Sequence, residues 1–129
     1  MNAKDLRIGN LVRQVQYHNG YCNEIRSVTA IREEGSLNVR VIGAHNMKSH
    51  PIEWFIPILL TEEWLLKFGF VYSDYSRCFE NSSICVDKDG EVGTYDSEYK
   101  VSEHTTTVKY VHQLQNLFYC LTGKELICD

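Results

Sequence analysis

The sequence lacks most of the features that reveal a chemistry on sight. It has two prolines in 129 residues, and its five cysteines include no C-x-x-C pair. An odd set of cysteines without that spacing is typical of reduced thiols, so we expect neither a disulfide framework nor a cysteine zinc site. No segment approaches the roughly 18 consecutive apolar residues of a membrane span, and the first residues lack the apolar core of a secretion signal. We therefore expect a soluble, cytoplasmic protein with no membrane partner.

Motifs for catalysis and cofactor binding are also missing. The eight glycines stand singly, which leaves no phosphate-binding loop, dinucleotide fingerprint or nucleophile elbow. The five histidines include no pair at the i, i+4 spacing of a zinc-binding helix. Asp87, Asp89 and Glu91 resemble the start of a calcium loop, but the sixth position, which requires glycine, is Val92. We expect no metal, no cofactor and no catalytic residue. A small hydrolase using the carboxylates of residues 61–129 is the third functional alternative.

The first 60 residues are predicted to form short strands separated by turns. Asn19-Gly20 favours a tight hairpin, because both central positions of a type I′ turn need positive φ. Strict pairing across that turn would place Val15 opposite Glu24, so we expect a bulge or a different turn. The predicted strands cover residues 6–17, 24–31 and 37–42, and a fourth has Ile52, Trp54, Ile56 and Ile58 on one face.

These strands predict a small barrel. Four or five short antiparallel strands can bury a face only by curling or by stacking on another layer. Pro57 lacks a backbone donor, which predicts that the fourth strand lies at a sheet edge or ends in a bulge. We predict that residues 1–60 form a small SH3-like antiparallel β-barrel or curled sheet.

Residues 59–70 are predicted to form a short helix with both ends specified. Thr61 can cap the first turn, and Glu62 and Glu63 lie where the helix dipole favours anions. Lys67 falls in the last turn, and Gly69 is the left-handed residue that ends the helix.

A second β region and a last helix complete the chain. The turn 87–90 joins strand 84–86 to strand 92–95 within a β region that spans residues 71–101, and Gly90 suits its left-handed position. Apolar residues at helical spacing predict a helix over residues 107–122, which Gly123 ends. The fold class is therefore α+β, with subdomains 1–60 and 61–129 expected to form one compact unit.

The charge of the chain is uneven. Residues 1–60 carry seven basic against five acidic residues, hence +2, and residues 61–129 carry six against twelve, hence −6. Arg13, Arg26 and Arg40 could line one outer face of the barrel and contact phosphates, so nucleic-acid binding is an alternative function. The net charge of −4 counts against it.

Two surfaces suggest a protein partner. On the last helix, His112, Gln113, Asn116 and Tyr119 are predicted to project away from the apolar stripe, and amides, His and Tyr suit a surface that a partner desolvates. The other interpretation is a helix covered by loops of the same chain. A similar choice, between cross-strand packing and a binding surface, applies to the tyrosines of the second β region, Tyr72, Tyr75, Tyr95 and Tyr99.

Three blocks of the sequence carry a resemblance. They are Arg7-Ile8-Gly9-Asn10-Leu11-Val12, residues 58–70, and residues 109–117 with 121–126. Together they resemble small uncharacterised proteins encoded by phages and mobile elements of gut anaerobic bacteria. The resemblance implies an accessory protein inside a bacterial host cell and transfers no site residue. Our first expectation is a non-enzymatic protein-protein interaction or accessory module, which binds a partner protein or a second copy of itself.

Overall fold

The computed structural model describes residues 1–18, 20–32, 36–41, 47–82, 84–94 and 106–128, without the side chains of residues 37, 39–41, 47 and 48. The fold is α+β, with two antiparallel sheets and a C-terminal helix. The chain divides into two compact units. The first unit comprises Met1–Ile58 and Tyr110–Asn116, and the second comprises Leu59–Lys109 and Leu117–Asp129.

The sheet of the first unit has the order β4-β3-β2-β1-β5. A short 3-10 helix over Ala3–Asp5 precedes it, and another over Ile52–Trp54 connects its last two strands. No ladder among the described residues joins β5 back to β4, so the sheet is open there and SH3-like closure stays a prediction. Its strands are β1 (Leu11–Tyr17), β2 (Gly20–Ile31), β3 (Ser36–Val41), β4 (Met47–Pro51) and β5 (Phe55–Ile56).

The β1–β2 hairpin contains the expected irregularity. Tyr17 pairs with Gly20, but the register shifts between Gln14 and Gln16, so that Gln14 pairs with Glu24. Between these pairs β2 has one residue more than β1, which is a β-bulge and confirms that a simple two-residue register fails here. Beyond the bulge, alternate residues of β1 and β2 point into a small core, whose buried members are Leu6, Val12, Val28 and Phe55.

The predicted fourth strand is wrong. Residues that were expected to share a strand face instead form the 3-10 turn Ile52–Trp54 and the two-residue strand β5. Phe55 is buried whereas Ile56 is exposed, the reverse of the predicted pattern. Pro51 begins this turn with its fixed φ of −58°, which directs the chain out of β4. β5 lies at the end of the strand order, as Pro57 predicted.

In the second unit, helix α1 (Glu62–Lys67) has both predicted ends. The Thr61 hydroxyl accepts the Trp64 N–H at 3.4 Å. At the other end Gly69 has a φ of +84°, its N–H donates to the Leu66 carbonyl, and the Phe70 N–H donates to the Leu65 carbonyl. These two bonds form a Schellman motif, so both ends of the helix are confirmed.

The second sheet has the order β10-β9-β8-β7-β6. The β8–β9 hairpin forms where it was predicted, and Gly90 has a φ of +82° in its turn. The part of the predicted β region at residues 95–101 lies outside the described residues. The strands are β6 (Val71–Ser73), β7 (Cys78–Asn81), β8 (Ile84–Val86), β9 (Glu91–Thr94) and β10 (Thr106–Thr107).

Helix α2 (Val111–Thr122) begins later than predicted. Thr106 and Thr107 pair with β9 instead, and the Val108 N–H donates to the Gly90 carbonyl at 2.8 Å. The helix ends as expected at Gly123, whose φ is +73° and whose N–H donates to the Tyr119 carbonyl. Within the described part of the chain, no helix has the length and apolar character required to cross a bilayer.

Candidate interaction site

The predicted partner surface of α2 is partly internal. His112 is 4% exposed and stacks on Tyr110 with a ring-centroid distance of 5.9 Å. Gln113 is exposed, but its Oε1 atom accepts the Tyr110 N–H at 3.0 Å, which caps the start of the helix. Tyr119 is partly exposed and belongs to the second unit, whereas His112, Gln113 and Asn116 belong to the first.

Asn116 connects α2 to the segment before β1. Its Oδ1 atom accepts hydrogen bonds from Asn10 Nδ2 at 2.8 Å and from Arg7 Nε at 3.2 Å. Its Nδ2 atom donates to the Asp5 carbonyl at 3.1 Å. Asn116 is therefore half-buried and hydrogen-bonded within its own unit. The prediction that His112 lies on the exposed side of the helix is wrong.

Gln115 completes this connection, and the sequence analysis did not single it out. Its Oε1 atom accepts the Leu11 N–H at 2.9 Å, and its Nε2 atom donates to the Gly9 carbonyl at 3.3 Å. The segment before β1 pairs little with strands, and the side-chain amide of Gln115 provides hydrogen bonds to its buried backbone groups. Two blocks that carry the phage resemblance, residues 7–12 and 109–117, thus contact each other and have a structural role.

Arg26 is buried in the first sheet. It is 7% exposed, its Nε atom donates to Gln14 Oε1 at 2.9 Å, and its guanidinium forms an ion pair with Glu24. A buried guanidinium that is already paired has little left to offer to a phosphate.

The arginines that were predicted to bind nucleic acid do not share one face of the sheet among the described residues. Val12 pairs with Arg26 and the next residue, Arg13, pairs with Ile25. Because successive residues of a strand point to opposite faces, Arg13 and Arg26 lie on opposite sides of the sheet. The prediction that they share an outer face is wrong, and the side chain of Arg40 lies outside the described residues.

The acidic turn after β8 has a structural role. Asp87 Oδ1 accepts the N–H groups of Asp89 and Glu91 at 2.8 and 3.0 Å, which shapes the hairpin turn. Among the residues that the structure describes, no three His, Cys, Asp or Glu side chains are placed to hold a metal ion.

An aromatic cluster in the first unit escaped the sequence analysis. Trp54 stacks on His50 at 5.0 Å and meets His18 edge-on at 5.1 Å, and Tyr17 lies 5.9 Å from His50. The cluster extends from buried Phe55 to the exposed His18. The cluster packs the end of β1 against β4. Aromatic pairs of this kind add stability beyond their buried area. Its members come from separate elements, and the only sequence signal was histidine next to aromatic residues.

A chain of hydrogen bonds follows one face of the second sheet. Cys78 Sγ donates to Ser76 Oγ at 3.1 Å, and Ser76 Oγ donates to Glu80 Oε1 at 2.6 Å.

Burial, together with the adjacent Cys78, raises the pKa of Cys85 to about 11. A thiol with so high a pKa is a poor nucleophile, so Cys85 is suited to packing and not to catalysis.

The β6–β7 hairpin, residues 71–81, carries several exposed apolar side chains of the second unit, and we call it the tyrosine hairpin. Tyr75 is 99% exposed, Val71 is 69% exposed and Tyr72 is 49% exposed. The Tyr72 ring packs edge-on against Phe79 of the opposite strand at 5.1 Å, so part of it is core and part is surface. The predicted cross-strand packing is therefore present at Tyr72, whereas Tyr75 is exposed and a tyrosine-rich binding surface stays a prediction.

The turn that presents Tyr75 is well defined. The Arg77 N–H donates to the Ser73 carbonyl at 2.7 Å, and the Ser76 N–H donates to the Ser73 hydroxyl at 3.4 Å. Arg77 has a φ of +58°, a left-handed conformation that costs a non-glycine residue about 1 kcal/mol or more. Backbone strain of this kind is a feature of functional loops. The strained turn leaves the Tyr75 side chain exposed to solvent.

The outer edge of β6 adds backbone groups to this surface. β6 ends the strand order, so it has no neighbour on that side among the described residues. Val71–Ser73 contains neither the lysine nor the proline that commonly protects an edge strand. A groove of about 520 Å³ lies on the inner side of β6, between Tyr72 and the turn Asp87–Asp89, and residues of β7 and β8 also line it. The tyrosine hairpin therefore has exposed aromatic rings and a strand edge that no described strand covers, and it lines a groove.

Comparison with protein-family models, with curated proteins and with solved structures finds no match to this chain.

Proposed function

We propose that this protein is a non-enzymatic interaction module that binds a partner protein through the tyrosine hairpin. The observation that supports this most is Tyr75, a large aromatic side chain that is 99% exposed on a hydrogen-bonded turn beside a strand edge that no described strand covers. Tyrosine is enriched among the residues that dominate binding energy, because it gives a large contact area with few rotatable bonds.

The structural role of α2 bears on which surface binds the partner. His112 and Asn116 are engaged within the first unit, so the tyrosine hairpin is better supported as a binding surface than the predicted surface of α2. The resemblance of three sequence blocks to phage and mobile-element proteins supports an accessory role in the cytoplasm of a bacterial host.

The strand order of the first unit supports an SH3-like curl. β1 lies between β2 and the short β5, and a 3-10 turn separates β4 from β5. This order and this turn are shared with SH3-like barrels. We infer that the first unit is such a scaffold.

Site-specific photocrosslinking tests the proposal. A photoreactive phenylalanine analogue at position 75 should crosslink one defined protein in bacterial cells, whereas the same analogue at position 21 should not. Tyr21 is the matched control, because it is 94% exposed and lies in the first unit. The same crosslinked proteins at both positions, or none at position 75, would contradict the proposal.

A further inference from the structure

Two cysteines of the second unit lie together at the groove beside the tyrosine hairpin. We propose that the thiolates of Cys78 and Cys85 bind a single Cu(I) ion, which reaches them from this groove. The site is separate from the exposed ring of Tyr75 and does not depend on a protein partner, so it goes beyond the proposed function.

The strand register places the two thiols on one face of the second sheet. Glu80 of β7 pairs with Cys85 of β8. Because alternate residues of a strand point to the same face, Cys78 shares the face of Glu80 and is a diagonal neighbour of Cys85. The side chains of Cys78 and Cys85 are hydrogen-bonded to each other. Thiolates that share a metal ion lie at most about 4.6 Å apart, twice a typical metal–sulfur bond, so sulfur atoms in such contact can bind one ion with little movement of the strands.

The groove gives a small ion access to both thiols. Cys78 and Cys85 are only 4% and 2% exposed, yet both line the groove of about 520 Å³. The surroundings of a metal site control how far solvent reaches the ion. An ion that enters from the groove can therefore contact both sulfur atoms, and the burial of the two side chains protects it from competing ligands.

The chemistry of the two ligands favours Cu(I). Thiolates are soft ligands and bind Cu(I), which is stable with two of them, whereas Ca²⁺ and Mg²⁺ require oxygen ligands. On binding, each S–H bond breaks and one Cu–S bond forms in its place, so two protons leave and the copper stays Cu(I). Arg77 and Lys88 offset Asp87 and Asp89 in the lining of the groove, so the charge of the groove does not favour a divalent ion over a monovalent one.

Neighbouring groups orient both sulfur ligands. Cys78 Sγ lies 3.1 Å from Ser76 Oγ, which donates to Glu80 Oε1 at 2.6 Å. The backbone of Gly93, in the next strand, is hydrogen-bonded to the Cys85 side chain. Hydrogen-bonded groups of this kind fix the positions of the ligands in metal sites.

Competition with bathocuproine disulfonate, a Cu(I) chelator, tests the site in oxygen-free buffer. The parent is the full-length protein with serine in place of its other three cysteines, Cys22, Cys120 and Cys128, and circular dichroism verifies its fold. It should bind one Cu(I) ion per chain. Cys78→Ala and Cys85→Ala should each weaken the binding about 100-fold or more, since even the groups that orient a metal ligand are worth about 10- to 100-fold. Tyr75→Ala is the matched control on the same hairpin and should leave the affinity for Cu(I) unchanged.

X-ray absorption at the copper edge of the parent tests the ligands without an alanine variant. The spectrum should show two sulfur neighbours and no nitrogen or oxygen neighbour. Three results would overturn the inference: a parent that retains no Cu(I) against the chelator, alanine variants that retain it as well as the parent does, or replacement of bound Cu(I) by an equal concentration of Zn²⁺.

Discussion

Gly90 and Val108 approach each other so closely that no side chain fits between them. A Cβ atom on Gly90 would lie 2.3 Å from the Val108 carbonyl oxygen, and the Val108 N–H donates to the Gly90 carbonyl at 2.8 Å. This contact holds the segment before α2 against the β8–β9 turn.

The first prediction concerns this contact. Gly90→Ala should lower the free energy of unfolding by about 2 kcal/mol or more, since it adds a backbone clash to a φ of +82°. Gly69→Ala is the matched control, because its φ of +84° is almost the same but its Cβ would meet only Asn81 Nδ2 at 3.8 Å. That control should cost about 1 kcal/mol. Equal losses in urea unfolding would show that the clash is relieved without cost.

The second prediction separates a buried charge from an exposed one. Arg26→Ala leaves Gln14 Oε1 without its donor in a fully buried position and should destabilise the protein by about 2 to 3 kcal/mol. Glu24→Gln removes the ion pair from the exposed side and should cost less than about 1 kcal/mol. Thermal unfolding of the two variants measures this difference. A larger loss in Glu24→Gln would contradict the assignment of Gln14 as the main partner of Arg26.

The third prediction concerns His112 and pH. Burial lowers the pKa of His112 below its ordinary value of 6.5, and the opposing effect of Asp5 is smaller. Since the unfolded chain then binds the proton more tightly, this residue's contribution to stability is complete above pH 6.5 and is lost as pH falls below it. His112→Phe keeps a ring beside Tyr110 and removes the titration. The variant should therefore lose less stability than the parent between about pH 7 and pH 5 in urea unfolding. Identical losses would contradict a buried, neutral His112.

The success of sequence reasoning depended on the distance between interacting residues. Both ends of α1 were predictable, because Thr61 and Gly69 act on backbone groups within five residues. The roles of Gln115 and Asn116 were not, since their partners lie more than 100 positions earlier in the chain. The uncharged side chain of Asn116 suggested an interface, and the structure shows that Asn116 and Gln115 bind the protein's own N-terminal segment.

The strand that contained Trp54 failed for a related reason. Alternation at positions 52, 54, 56 and 58 is a real pattern, but a turn that begins at Pro51 ends the strand before the pattern applies. The tyrosine hairpin was partly predictable: the tyrosines of the second β region suggested cross-strand packing or a binding surface, and the register of Tyr72 with Phe79 shows packing at Tyr72.

The most direct test of the account is the affinity of the protein that crosslinks at position 75. Isothermal titration with the purified partner should give a dissociation constant about 30-fold weaker for Tyr75→Ala than for the parent, the equivalent of a lost interface anchor of about 2 kcal/mol. Tyr21→Ala should bind as the parent does. Equal affinity of the parent and Tyr75→Ala would show that the tyrosine hairpin is not the binding surface.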